Sequence, residues 1–164
     1  MIQFRQVNFP ADFEISLKII RESFITVADE FHLTPENCPS NPAFIDKDQL
    51  NALPTDFREL FLLVFQDKAA GFVGIEKSQK ETGVYFIEKV AVLPEFRHKG
   101  LGKKIMQFAV EKISKNGGLR ASVAIIDENK ILKEWYKSLG FQEAEVKKFS
   151  HLPFTVCFMN KELG

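Results

Sequence analysis

Three apolar runs follow one another in mid-chain, RELFLLVFQ (58–66), AAGFVGIEK (69–77) and VYFIEKVAV (84–92), with only DK and SQKETG between them. β-Branched and aromatic residues dominate each run, which suits extended backbone. The connections are too short to carry a crossover helix, so consecutive strands must turn straight back on each other. The centre of this chain is therefore an antiparallel meander, and everything else has to pack on it.

The flanks supply helices and further strands. IQFRQV (2–7) reads as a short strand, after which Phe13, Leu17, Ile20, Phe24, Val27 and Phe31 recur at helical spacing. The stretch 33–45, LTPENCPSNPAFI, carries three prolines and two asparagines, which forbids a long helix and implies a loop, with a short helix over 46–52. Beyond the meander, Ile105, Met106, Ala109, Val110 and Ile113 form one helical face ended by Asn116-Gly117-Gly118. LRASVAII (119–126) is apolar on both faces, as expected of a buried central strand. A last helix should turn Ile131, Leu132, Trp135 and Leu139 inward and close at Gly140, and strands near 141–147 and 154–161 complete the chain. With no repeat or linker, the pattern predicts one α/β domain over 1–164 with a mixed, mostly antiparallel sheet.

Bulk composition narrows the partners. Lys plus Arg and Asp plus Glu balance at 22 each, which argues against a nucleic-acid or acidic-membrane surface and leaves room only for local charge. Cys38 and Cys157 fit no metal or redox spacing, and MIQFRQVNFP lacks the apolar core of a signal peptide, so a soluble, cytoplasmic protein is expected. The 17 phenylalanines suit core packing and the lining of an apolar pocket.

Local charge gathers in RHKGLGKKI (97–105), where the third run of the meander gives way to a helix. A helix N-terminus offers unpaired N–H groups and a partial positive charge, and glycines let an anion approach the backbone. The N–H groups of His98, Lys99, Gly100, Leu101, Gly102 and Lys103 are thus candidates to hold a phosphate, with Arg97, Lys99, Lys103 and Lys104 adding mobile charge. The same segment, taken alone, can equally be a structural turn with a solvated basic helix start.

The wider context weighs on that choice. YFIEKVAVLPEFRHKGLG, followed by an amphipathic helix, an apolar strand and NKILKEWYKSLGF, resembles the GNAT acetyltransferase superfamily. The motifs match over about 85–141, and the element order agrees along essentially the whole chain. The resemblance implies that Arg97 to Gly102 bind the pyrophosphate of coenzyme A and that the preceding strand pairs with the pantetheine arm. It also implies that Asn129 contacts the coenzyme and that Tyr136 lies near the thioester sulfur. Asn129 and Tyr136 are two helical turns apart, roughly 10 Å along an axis, and share one stripe. Leu132 departs from the small residue many members carry three positions after that Asn.

An N-acetyltransferase of this kind needs an oxyanion site, a proton for the departing thiolate and an uncharged amine. Backbone N–H groups around Val90, Ala91 and Val92 suit the first, especially if a bulge frees one from the ladder. Tyr136, protonated at neutral pH, suits the second. Glu88 is the candidate base, acting through water; by strict alternation it shares a face with Val90 and Val92. Glu88 is equally readable as a surface glutamate paired with Lys89 or Lys77. The expectation is acetyl-CoA-dependent acetylation of a primary amine on a small molecule or peptide, without a metal. The alternative is a non-catalytic CoA-binding regulatory module. The acceptor side should comprise Phe24, Phe31, His32, the 33–45 loop and His151 to Phe154, and a homodimer is left open.

Overall fold

The computed structural model describes all 164 residues. Its meander is β2 (Arg58–Phe65), β3 (Lys68–Lys77) and β4 (Val84–Val92). β1 (Ile2–Gln6) lies antiparallel to β2, and α1 (Phe13–Glu30) and α2 (Lys47–Asn51) separate the two in sequence. After β4 come α3 (Leu101–Lys115), β5 (Arg120–Ile126), α4 (Lys130–Ser138), β6 (Gln142–Lys148) and β7 (Thr155–Glu162). The seven strands order β1-β2-β3-β4-β5-β7-β6, antiparallel throughout except for β4 beside β5. No helix is long and apolar enough to cross a membrane.

Both faces of the sheet are covered, by different helices. α3 and α4 cover one face, where Leu101, Ile105, Met106 and Tyr136 pack on Leu63, Val73, Ile87 and Val123. Gly71 lets α3 sit close, because a β-carbon there would stand 2.9 Å from Ile105 Cδ1 and 3.0 Å from the Ala91 carbonyl. α1 and α2 cover the other face through Leu17, Ile20 and Leu50 against Leu60, Leu62 and Phe72. Each such buried aliphatic side chain contributes about 2 kcal/mol. The proline-rich loop holds one 3-10 turn, Pro42–Phe44, and is pinned by Leu33, Cys38 and Ala43 against Ala28 and Ile126. The carboxylate of Asp12, just before α1, takes two hydrogen bonds from Arg5, at 2.7 and 2.8 Å, and one from the Asn8 N–H at 2.7 Å.

Three sequence expectations are corrected. Between the pairs Phe72–Ala91 and Gly74–Glu88 the register slips, so Lys89 and Val90 oppose Val73 alone in a β-bulge, with Lys89 at φ +52°. One extra residue reverses the alternation beyond it. Glu88 therefore shares the α1/α2 face with Ala91, while Val90 and Val92 pack on the α3/α4 side. In α4, Ile131 is 82% exposed rather than inward, whereas Lys133 is buried. At about 100° per residue the two lie on opposite sides of the helix, so burying one expels the other. In β5, Ala124 is exposed although its neighbours are buried. It lies on the α1/α2 face, in register with Phe158 of β7 and between buried Ser122 and Ile126.

Candidate active site

The glycine turn builds an anion cradle from the backbone outward. After a 3-10 turn at Pro94–Phe96, His98 (φ +62°) and Gly100 (φ +75°) take left-handed conformations and α3 begins at Leu101. Alternating handedness turns successive N–H groups toward one concavity. The N–H groups of His98, Lys99, Gly100, Leu101, Gly102 and Lys103 find no acceptor anywhere in the chain, and internal bonding resumes only with Lys104 N–H to the Gly100 carbonyl, 3.2 Å. A β-carbon on Gly100 would meet nothing within 4 Å, so glycine is there for its conformation, while one on Gly102 would stand 3.3 Å from the Trp135 ring. Lys99, Lys103 and Lys104 are exposed and make no ion pair.

Arg97 behaves differently from those lysines. Its guanidinium donates to the Ser23 carbonyl at 2.9 Å and to Thr26 Oγ1 at 3.3 Å, both on α1. It serves as a strut between the turn and α1, not as mobile charge at the cradle.

Next to the cradle the sheet comes apart. β4 and β5 pair only at Val84–Arg120, Tyr85–Ala121 and Phe86–Ser122, and beyond that they diverge. Leu93 donates to the Ala70 carbonyl, so ladder alternation turns the Val92 N–H away from β3. That N–H is taken by Ser23 Oγ at 3.3 Å. Ala91, in register with Phe72, faces back into the ladder. Val90 itself lies in the bulge, in the stretch of β4 that has no partner on β5.

Tyr136 stands on the α3/α4 side of the gap. Its ring contacts Trp135 and Phe141 edge-on, with centroids 4.9 and 5.7 Å away. Only 6% of the residue is exposed, and burial pushes its hydroxyl well above the ordinary tyrosine pKa. That hydroxyl makes no hydrogen bond within the chain, an arrangement that suits an outside partner. Asn129 does not lie on the helical stripe. It is the N-cap of α4, and its Oδ1 accepts from the Leu132 N–H at 3.2 Å; its amide nitrogen makes no bond within the chain.

Glu88 stands on the opposite face. Arg58 Nε meets its Oε1, while Arg58 Nη2 binds Glu76 Oε2 at 2.7 Å, so one guanidinium holds two carboxylates. Oε2 of Glu88 faces Lys89 Nζ at 3.8 Å, and Lys77 takes no part. The outlying acceptor candidates gather round the loop: Phe24, Phe31, Leu152 and Phe154 pack against its buried cluster, whereas His32 and His151 are exposed. His151 touches Phe149, with centroids 5.7 Å apart.

Two polar features escaped the sequence reading. Ser23 binds both the end of β4 and Arg97, across 69 and 74 residues of chain. Lys133 is buried with its ammonium 2.6 Å from Asp127 Oδ1 and 3.1 Å from Glu143 Oε1. No local spacing announces either.

Comparison with known proteins bears on this arrangement. Residues 24–141 match the Acetyltransferase (GNAT) family. An N-acetyltransferase of Methanocaldococcus jannaschii, itself uncharacterized, is 33% identical over 92 residues, which is 54% of this chain and 41% of that protein. The match thus spans less than half the length of that relative. Among solved structures, the PaiA N-acetyltransferase of Thermoplasma acidophilum, crystallised with coenzyme A, superposes with a TM-score of 0.78 at 17% identity, covering 99% of both chains. The ribosomal-protein-S18-alanine N-acetyltransferase of Escherichia coli gives 0.77 at 16% identity, covering 100% of this chain and 95% of the other. At such identities these two likenesses speak for the fold alone.

Proposed function

The chain belongs to the acetyltransferase (GNAT) family, and we propose that it transfers an acetyl group from acetyl-CoA to a primary amine of a small molecule or peptide. The observation that carries this reading is the unbroken series of unbonded N–H groups from His98 to Lys103. His98, Lys99, Gly100 and Lys103 are exposed, so a ligand reaches these donors freely, and a diphosphate would satisfy several together. Exposed Lys99 and Lys103 would add charge, and Asn129 would offer its amide nitrogen to the same ligand.

Acetyl-CoA supplies a thioester, whose carbonyl carbon accepts an amine and whose sulfur leaves as a thiolate. The protein's part is positional and electrostatic. The Val90 N–H donates toward the carbonyl oxygen as negative charge builds there; a preorganised donor in a dry site is worth about 3 kcal/mol. The Tyr136 hydroxyl holds a proton ready for the sulfur, and its raised pKa keeps that proton in place until the thiolate forms. Glu88 Oε2 accepts the amine proton through water, its other oxygen being held by Arg58. In this reading acid and base lie on opposite faces of the sheet, and the parting of β4 and β5 offers a route between them. The amine arrives over the α1/α2 face, past exposed Ala124, and the thiol departs toward the α3/α4 face. Both cysteines are free and buried, which suits a reducing compartment such as the cytoplasm.

Thermal unfolding with acetyl-CoA, CoA and ATP tests the binding half of the reading. Ligand at 100 times its Kd stabilises by about 2.7 kcal/mol, so the first two should raise Tm by several degrees and ATP should not. Equal shifts with all three would sink the assignment. Thiol release over a panel of amines and N-terminal peptides tests turnover; no acceptor-dependent release would leave a CoA-binding module.

A further inference from the structure

A lysine ammonium inside a helix–sheet interface is an expensive choice. The Lys133 side chain is only 8% exposed, and a buried ion repays its lost hydration only with well-placed partners. A leucine there would pack at less cost. The geometry of its partners is therefore informative: Asp127 immediately follows β5 and Glu143 lies in β6, the two segments flanking α4 in sequence. Glu143 also takes Lys137 Nζ on its second oxygen, 3.2 Å away. Its one carboxylate thus grips α4 at positions 133 and 137, on either side of Tyr136. Asp127, Glu143 and Cys157 bring their polar atoms within 4.8 Å of one another, and the cation among them is Lys133 itself.

α4 has nine residues, too few to hold a helical orientation by itself. Tyr136 has no hydrogen bond of its own and is held only by packing, as against Trp135 and Phe141, so the direction of its hydroxyl depends on the roll of the helix. At a side-chain radius of about 5 Å, a 20° roll moves that side chain by about 2 Å, well beyond the roughly 0.5 Å that productive geometry tolerates.

We propose that Lys133 is a positioning residue for acetyl transfer: tied to Asp127 and Glu143, it fixes the roll of α4 that aims Tyr136 into the gap between β4 and β5. The inference rests on Tyr136 being the proton donor. Lys133→Met keeps length and apolar bulk while removing the tether. With acetyl-CoA and the fastest amine of the panel, kcat should fall tenfold or more while acetyl-CoA Kd stays within threefold, and Lys133→Arg should recover part of the loss. Trp135, the single tryptophan, should report the roll as a changed emission with and without CoA. In a Tyr136→Phe background, Lys133→Met should cost less than twofold further, because a misaimed hydroxyl and an absent one are the same defect.

A Lys133→Met enzyme with unchanged kcat, or full additivity with Tyr136→Phe, overturns the positioning role while leaving Tyr136 as donor. An undiminished rate in Tyr136→Phe alone instead removes the donor reading and this inference with it. Should Lys133→Met fail to fold, Asp127→Asn weakens the same tether and must show the same non-additivity.

Discussion

The Arg97 guanidinium donates to the Ser23 carbonyl at 2.9 Å, which ties the one arginine of the glycine turn to α1. Arg97→Ala should therefore loosen the packing of α1, lowering Tm by a few degrees, yet change acetyl-CoA affinity less than threefold. Lys99→Ala with Lys103→Ala should do the opposite, weakening affinity tenfold or more and flattening its salt dependence. Titration at two ionic strengths distinguishes them; a large affinity loss in Arg97→Ala would put its charge at the phosphates after all.

Gly102 faces Trp135 at a distance that leaves no room for a carboxylate. Gly102→Glu should abolish acetyl-CoA binding by displacing the ring and by setting a negative charge at an anion site, while circular dichroism stays native. Gly100→Ala meets no atoms but must hold φ +75°, a strain of about 1–2 kcal/mol. Its Tm should fall, with weakened but measurable binding.

Tyr136 should remain protonated beyond the pH at which a free tyrosine, with pKa near 10, ionises, since burial disfavours its phenolate. The kcat profile should therefore show no falling limb up to about pH 10. Tyr136→Phe should lower kcat by about 100-fold at every pH in that range, with little change in acetyl-CoA Kd. A decline centred near pH 8 or 9 would point to a different acid.

The Asp12 carboxyl is held below its usual range, chiefly by its hydrogen bonds from Arg5. A depressed folded pKa contributes stability that is full above the unfolded value, near 3.9, and is lost as pH falls through the folded one. Arg5 is half exposed, so solvent screens the pair, and Asp12→Asn should cost about 1–2 kcal/mol at pH 7. It should also flatten the fall in stability from pH 7 to acid pH below about 4. Urea unfolding at both ends measures this, and a parallel pair of curves would refute it.

Much of the fold can be read from short-range pattern, because periods of two and 3.6 depend only on neighbours. Thus the meander, the Phe13–Phe31 stripe and the Ile105–Ile113 face emerge as strands and helices with ends displaced by a residue or two. What pattern could not reveal depends on distant partners. Whether Glu88 sides with Val90 or with Ala91 is decided by Val73 facing two residues of β4 at once. Ile131 looks like core until Asp127 and Glu143 are seen to draw Lys133 inward in its place. The direction of Arg97 depends on a carbonyl 74 residues earlier. The N–H groups from His98 to Lys103 are unconsumed, which follows from the glycines close by, whereas the bulge at Lys89–Val90 entered the sequence reading only as a condition.

The three residue pairs that close β4 against β5 sit at one end, like the hinge of a pair of tongs. A thin, chain-like guest can slide between the open tips without breaking any main-chain bond, so admitting it demands no unfolding. The guest's own amide groups can then complete the interrupted ladder, making a flexible tail into a temporary rung of the host.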